Sequence, residues 1–169
     1  NVEYVFQVTA TNRVGESKPS PSSEVARPDT RPDAPSAPRL AFGDHELKVA
    51  WTTPSTSGSP VESYTLQISP APPSGPAEIS GVTGTSTVWK GLENGRAYQV
   101  RIRAHNRAPE PSDWSLYSLA ETPAGPPMAP AQPTTAELDP VGSKAQIQVN
   151  WVAPDSNGDK ISGYELQVM

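Results

Sequence analysis

The chain has 169 residues, including 21 prolines, 12 glycines and no cysteine, with 34% hydrophobic residues and a formal net charge of −5. This acidic balance without a basic cluster disfavours nucleic acid as a partner, and the lack of cysteine excludes disulfides, thiolate metal sites and cysteine nucleophiles. No apolar run approaches the roughly 18 residues of a membrane span, so we expect no membrane span in this segment.

The sequence repeats itself at two places. The stretch YVFQVTATNR, which begins at Tyr4, resembles YQVRIRAHNR, which begins at Tyr98, 94 positions later. The stretch from Trp51 to Ile68 aligns without gaps on the stretch from Trp151 to Val168. A repeat period near a hundred residues predicts one complete unit with a piece of another unit on each side.

Two proline-rich stretches separate these units. They are RPDTRPDAPSAP, residues 27–38, and TPAGPPMAPAQP, residues 122–133. Proline fixes φ and removes a backbone donor, so we expect both stretches to be extended linkers outside any central strand. Their positions place the complete unit at residues 33–123.

Alternating apolar residues predict the strands of the complete unit, and no helical period occurs, so the predicted fold class is all-β. The predicted strands in chain order are LKVAW (47–51), YTLQI (64–68), AEIS (77–80), TSTVWKGL (85–92), the strand from Tyr98 to Ala104, and SLYSLAE (115–121). Asn94-Gly95 is predicted to be the turn before Tyr98.

The predicted core residues lie on the inward faces of these strands. They are Trp51, Tyr64, Leu66, Leu92, Tyr98, Val100 and Ile102, together with Trp151 and Tyr164 in the second copy of the repeat. Trp89 is predicted to fill the same core. Arg101, Arg103 and His105 alternate with the core residues and are expected to face outward.

These motifs resemble the fibronectin type III family. The resemblance rests on PSAP from Pro35, Trp51, Tyr64, the GLxNGxxY pattern of residues 91–98 and the VxIxAxN pattern of residues 100–106. It implies an immunoglobulin-like, seven-stranded β-sandwich that occurs in tandem, with Tyr98 as the tyrosine corner, whose hydroxyl bonds upstream backbone.

The resemblance also implies how the chain divides into modules. Residues 1–28 would be the C-terminal part of one module, 33–123 a complete module, and 130–169 the N-terminal part of a further module. Each partial module would expose an apolar face, so we expect the chain to be an excerpt of a longer array. The alternative is that the partial modules pair with each other or with another chain.

No catalytic, metal or cofactor motif occurs, so we expect no enzyme activity and no cofactor. His45 and His105 are predicted to be solvated surface residues, because neither has a partner motif. Asp155 and Asp159 flank a turn that lacks the remaining ligands of a calcium loop. The loop after Asn106 carries no Arg-Gly-Asp tripeptide, so integrin adhesion is not supported.

Trp114 is the main candidate for a surface contact. The sequence SDWS, residues 112–115, resembles the second half of the Trp-Ser-x-Trp-Ser element of cytokine receptors, in which tryptophan stacks between guanidinium groups. We expect Trp114 to lie over Arg101 or Arg103 as a structural cation-π contact. The alternative is an exposed platform for a sugar ring.

The predicted function is a non-catalytic extracellular spacer, adhesion or protein-interaction array in a secreted or cell-surface protein. Its partners would be neighbouring modules of the same chain and an unidentified protein or glycan bound through loops. Two alternatives are accessory modules of a secreted polysaccharide-degrading glycoside hydrolase and a receptor ectodomain. The sequence has no Asn-x-Ser/Thr acceptor, which favours a bacterial source.

Overall fold

The computed structural model describes residues 2–26 and 28–168. Its strands lie in three parts of the chain, and no sheet is shared between two of these parts. In the first part, residues 2–26, a short hairpin pairs β1 (Thr11–Asn12) with β2 (Gly15–Glu16). Tyr4 and Ala26 exchange backbone hydrogen bonds of 2.9 and 2.8 Å at the other end of this segment.

Two three-stranded antiparallel sheets form the second part. One sheet has the order β3 (Arg39–Gly43), β4 (Glu46–Ala50), β7 (Ser86–Lys90), and the other has the order β6 (Glu78–Val82), β5 (Ser63–Ser69), β8 (Gln99–His105). The described residues contain no helix, and the predicted all-β, immunoglobulin-like sandwich is confirmed.

The core lies between the inward faces of these two sheets. Strand alternation places Leu47 opposite Trp89 in one sheet and Leu66 opposite Ile102 in the other. The buried apolar residues are Leu47, Val49, Trp51, Tyr64, Leu66, Ile68, Trp89, Leu92, Tyr98, Val100, Ile102 and Ala104. The seven core residues predicted within residues 33–123 all lie in this set.

The third part is a two-stranded sheet of β9 (Thr134–Val141) and β10 (Lys144–Asn150), followed by residues 151–168. Trp151 and Tyr164 pack edge to face at 5.5 Å, much as Trp51 and Tyr64 do at 5.2 Å in the sandwich. They remain 41% and 47% exposed, however, so the structure does not bury them as predicted. The physical reason is that, in the described part of the chain, no second sheet covers this face.

Tyr98 fixes the turn that leads into β8. Its side chain is fully buried, and its hydroxyl oxygen accepts a hydrogen bond of 3.1 Å from the backbone N–H of Glu93. The Leu92 N–H donates to the His45 carbonyl oxygen at 3.1 Å, which joins the turn to the β3–β4 hairpin. A buried ring with a bonded hydroxyl is what a tyrosine corner requires.

The chain after β8 runs back along that strand in an unexpected conformation. Residues 115–121 were predicted to be the closing strand, but they form no regular ladder, and a single bridge joins Tyr98 to Glu121. The backbone bonds recur at every third residue. The N–H groups of Ser112, Ser115 and Ser118 donate at 2.9, 2.8 and 2.8 Å to the carbonyl oxygens of Ala104, Ile102 and Val100.

The serine hydroxyls complete each step of this pattern. Their Oγ atoms accept from the N–H groups of the same three β8 residues, at 2.8, 3.0 and 3.0 Å. Three residues of the segment therefore span the same length as two residues of β8. Two strand residues rise about 6.7 Å, so the segment rises only ~2.2 Å per residue. We call residues 112–121 the serine ladder.

The N-terminal segment repeats the same construction. Ser17, Ser20 and Ser23 lie 95 positions before the serines of the sandwich. Their Oγ atoms accept from Ala10, Val8 and Phe6 at 3.0, 3.1 and 3.0 Å. The spacing of serines, and not apolar alternation, is thus the sequence signal for this element.

Replacing Ser115 tests the ladder. Ser115→Ala leaves the N–H of Ile102 without an acceptor in the interior, so the free energy of unfolding should fall by roughly 1–3 kcal/mol. Urea denaturation of the full chain measures the change. Leu116→Ala, at a neighbouring side chain that is 83% exposed, should change the unfolding free energy by less than about 0.5 kcal/mol. Equal effects of the two substitutions would contradict the assignment.

Candidate functional site

Two arginines on the outward face of β8 are covered by aromatic rings from the serine ladder. The guanidinium carbon of Arg101 lies 4.7 Å from the ring centroid of Trp114, and that of Arg103 lies 4.6 Å from the same centroid. Arg101 also lies 5.1 Å from the ring centroid of Tyr117. All three distances are within the range of cation-π attraction. We call these four residues the arginine–aromatic ladder.

The arrangement follows from two different residue spacings. In β8 every second side chain faces the same way, so Arg101 and Arg103 share the outward face. In the serine ladder every third residue is equivalent, so Trp114 and Tyr117 share one side of that segment. Because three residues of the ladder match two residues of β8, the two rows of side chains stay in step.

The guanidinium groups are also held by the neighbouring strands. Arg101 donates from Nε to Gln67 Oε1 at 2.8 Å, and Arg103 Nη2 lies 3.7 Å from Glu78 Oε1. The Nε of Arg103 is buried and has no hydrogen-bond partner among the described residues. The positive charge of Arg103 is thus offset by the electron-rich face of Trp114 at 4.6 Å and by the Glu78 carboxylate.

The sequence analysis placed Trp114 over either Arg101 or Arg103, whereas the structure places its ring within reach of both. It also took SDWS for the second half of the Trp-Ser-x-Trp-Ser element. The geometry shows that Trp114-Ser115 takes the place of the first half and that Tyr117-Ser118 takes the place of the second, with tyrosine in place of tryptophan. The three-residue spacing of the serines could have revealed this.

The sugar-platform alternative has a geometric cost. Two guanidinium groups already lie over the Trp114 ring, which is only partly exposed. A sugar that stacked on this ring would compete with these guanidinium groups for it. The arrangement therefore favours a structural contact that fastens the serine ladder to the sheet.

His105 extends this outward face at the end of β8. It was predicted to be solvated, but it is partly buried, and its Nε2 lies 2.7 Å from Oγ1 of the buried Thr65. Burial, and secondarily the charge of Arg103, lower the pKa of His105. His45, in contrast, is largely exposed, although its Nδ1 lies 2.9 Å from the Leu92 carbonyl oxygen.

The linker before the sandwich is bonded to loops at one end of the sandwich, a contact that we call the first joint. Asp29 Oδ1 accepts from the Ser59 N–H at 2.7 Å, and the Thr30 carbonyl oxygen accepts from Asn106 Nδ2 at 2.8 Å. Hydrogen bonds from Ser59 lower the pKa of the Asp29 carboxyl. Arg31 and Asp113 form a bidentate pair at 2.9 and 3.0 Å.

The opposite end of the sandwich is bonded to the third part of the chain through a second joint. Gly95 donates its N–H to the Pro123 carbonyl oxygen at 3.0 Å, and Gly125 donates to that of Asn157 at 3.0 Å. Asn94 donates from Nδ2 to Asp44 Oδ1 at 2.7 Å and to Asn157 Oδ1 at 2.8 Å. The linker is thus clamped between two turns.

In each joint a glycine lies where the linker and a turn approach each other most closely. A Cβ atom on Gly58 would meet Asp29 Oδ1, and would lie 2.7 Å from the Thr30 carbonyl oxygen. A Cβ atom on Gly158 would lie 2.6 Å from the Pro123 carbonyl oxygen and 2.7 Å from the Gly95 nitrogen. The two glycines are 100 positions apart, the offset of the sequence repeat. Both joints are therefore built at the same position of the repeat.

Comparison with known proteins identifies the family to which the central unit belongs. The sequence model of the fibronectin type III domain matches residues 33–118, about half of the chain. The chain belongs to the fibronectin type III domain family. The central unit of the structure is thus a fibronectin type III module, and modules of this family are generally non-catalytic interaction or spacer domains.

Its relatives are long proteins. Fibronectin type-III domain-containing protein 3A of Mus musculus is 27% identical over 167 residues, which cover 97% of this chain and 14% of that protein. Myomesin-2 of Homo sapiens is 30% identical over 173 residues, 96% of this chain and 12% of that protein. The chain spans only about a seventh of the length of these relatives.

The solved structure of domains A168–A170 of titin supports the same fold. It matches with a TM-score of 0.52 and 21% identity, over 70% of this chain and 40% of that chain. Within the described ranges, no group of three or more His, Asp or Glu side chains could hold a metal ion. The same residues include no helix that is long and apolar enough to cross a membrane.

The arginine–aromatic ladder is testable by a double-mutant cycle with Trp114→Ala and Arg103→Gln. We expect a coupling free energy of about 0.5–1 kcal/mol, since the single substitutions remove the same cation-π contact. Urea denaturation of the four proteins measures it. Pairing Arg103→Gln with Leu119→Ala, at a side chain 91% exposed, should give no coupling. A zero value for the Trp114 cycle would contradict the contact.

The lowered pKa of His105 predicts a pH dependence of stability. Below the ordinary histidine pKa of about 6.5, the unfolded chain binds a proton more readily than the folded chain. The free energy of unfolding should therefore decrease as the pH falls through this value, and His105→Gln should remove that decrease. Urea denaturation between neutral and mildly acidic pH measures both. His45→Gln is the control and should retain the dependence of the unmodified chain.

Proposed function

We propose that this chain is part of a tandem array of fibronectin type III modules that acts as a non-catalytic spacer and protein-interaction array. Residues 33–123 are the complete module, and residues 1–28 and 130–169 are parts of its two neighbours. The observation that carries the proposal is the pair of equivalent joints at Gly58 and Gly158, which bond the complete module to the linker before it and to the segment after it.

A spacer needs linkers that hold a defined geometry. Free proline-rich linkers are semi-rigid by themselves, and here they are also bonded to the module. In the first joint the Asp33 N–H donates to the Ser55 carbonyl oxygen at 3.0 Å, in addition to the bonds of Asp29 and Thr30. In the second joint the Met128 N–H donates to the Asp155 carbonyl oxygen at 2.9 Å. These contacts favour a fixed orientation between successive modules.

The interaction role follows from repetition. Weak contacts made by loops of several modules combine through a high effective concentration when the modules are held in a fixed order. The position outside the cell, the attachment to a glycoside hydrolase and the receptor role stay predictions of the sequence, since no contact in the described residues bears on them. The spacer role depends on the joints alone.

The first joint provides the test of the spacer role. The chain has no native cysteine, so nitroxide labels on Lys18→Cys and Lys48→Cys give one distance between the N-terminal segment and the module. Double electron–electron resonance should show a narrow distance distribution in the otherwise unmodified chain. Gly58→Ala should broaden it, because the added methyl group collides with Asp29 and Thr30.

The control is Gly163→Ala, since a Cβ atom there has no neighbour within 4 Å. It should leave the distance distribution unchanged. A broad distribution in the otherwise unmodified chain, or an unchanged one in Gly58→Ala, would count against a spacer of fixed geometry.

A further inference from the structure

Both Asn-Gly pairs of the sequence lie in the second joint. They are Asn94-Gly95 in the turn before β8 and Asn157-Gly158 in the turn of the third part. The two asparagine side chains bond each other, from Asn94 Nδ2 to Asn157 Oδ1, at 2.8 Å. The repeat gives no reason for this pairing, because the residue equivalent to Asn157 is Ser57.

Asn-Gly pairs have a known chemical weakness. The backbone nitrogen of the following residue loses its proton and attacks the asparagine Cγ, ammonia leaves, and a cyclic succinimide forms. Water then opens the ring, so that the net reaction consumes one water and converts asparagine to aspartate or isoaspartate with release of ammonia. Glycine favours the attack because it has no Cβ to obstruct the approach and has a freely adaptable backbone.

We propose that the second joint is a deamidation site that its own closure protects. In the closed joint the attacking nitrogen of Gly95 is occupied, because its N–H donates to the Pro123 carbonyl oxygen at 3.0 Å. The Asn94 amide is held at both ends. Its Oδ1 accepts from the His45 N–H at 2.8 Å, and its Nδ2 donates to Asp44 and Asn157. The Cγ atom therefore cannot turn freely toward the Gly95 nitrogen.

The Asn157 amide is also held at both ends, since its Oδ1 accepts from Asn94 Nδ2 at 2.8 Å. Its Nδ2 donates to the Pro126 carbonyl oxygen at 3.0 Å, and its own N–H donates to Asp155 Oδ1 at 2.8 Å. Opening of the joint breaks the bond between the two asparagine side chains and the bond from Asn157 to Pro126. The bonds of Asn94 to His45 and Asp44 lie within the module and remain. Each opening event thus frees the Asn157 amide and removes one of the three restraints on the Asn94 amide.

The product does not fit the closed joint. Conversion of the Asn94 amide to a carboxylate replaces a donor by an acceptor at 2.7 Å from Asp44 Oδ1 and 2.8 Å from Asn157 Oδ1. Two carboxylates at this distance repel each other, and both lose hydrogen bonds. Deamidation of Asn94 would therefore remove the side-chain bond between the module and the third part of the chain, and would open the joint.

The first experiment measures deamidation at each asparagine by peptide mass spectrometry, during incubation of the full chain at mildly alkaline pH. Gly125→Ala opens the joint and leaves the residues of both Asn-Gly pairs unchanged, because its Cβ atom would meet Asp44 Oδ1 and lie 2.5 Å from Asn157 Nδ2. We expect deamidation of Asn157 to be several-fold faster in Gly125→Ala, and that of Asn94 to increase less. Gly163→Ala should match the unmodified chain. Equal rates in all three proteins would overturn the proposal.

The second experiment asks whether the product opens the joint. Labels on Lys48→Cys and Lys144→Cys report the distance across it by double electron–electron resonance. Asn94→Asp should broaden the distribution, whereas Asn150→Asp, which makes the same charge change on β10, should not. An unchanged distribution in Asn94→Asp would overturn this part of the proposal.

This inference rests on the proposed spacer function only in requiring that the second joint closes. A narrow distribution in the unmodified chain with equal deamidation rates would reject the deamidation site and leave the spacer role intact. A broad distribution in the unmodified chain would reject both.

Discussion

The backbone of β8 needs hydrogen-bond partners on its open side, and the rest of the structure depends on how these are supplied. Val100, Ile102 and Ala104 are fully buried, so an unpaired N–H or carbonyl group at any of them would be costly. Serines at every third position provide an acceptor from the side chain and a donor from the backbone. This construction sets the path of the chain from Ser112 to the second joint.

The same constraint places the aromatic rings. Since the ladder advances three residues for every two of β8, side chains two apart on the strand meet side chains three apart on the ladder. Trp114 and Tyr117 thereby reach Arg101 and Arg103 without any adjustment of the strand. The N-terminal segment has the serines but carries Pro19 and Ser22 in place of the rings. The serine construction is therefore general in this chain, and the rings are an addition in the complete module.

Much of the sandwich could be predicted from the sequence, because the alternation of apolar and polar residues along a strand indicates which side chains face the core. The prediction failed for Trp151 and Tyr164, since burial depends on a covering sheet and not on the residue's own strand. It failed again at residues 115–121, where apolar residues suggested a strand while the serines set a period of three. The joints could not be predicted, because they depend on tertiary approach at Gly58 and Gly158.

The three-residue step of the serine ladder also bears on self-association. An ordinary strand at the border of a sheet offers free donors and acceptors in the spacing of a β-strand, and a second chain can pair with them. A segment that rises ~2.2 Å per residue cannot match the ~3.3 Å spacing of such a strand. The mismatch therefore protects this border of the sandwich from pairing with a strand of another sheet.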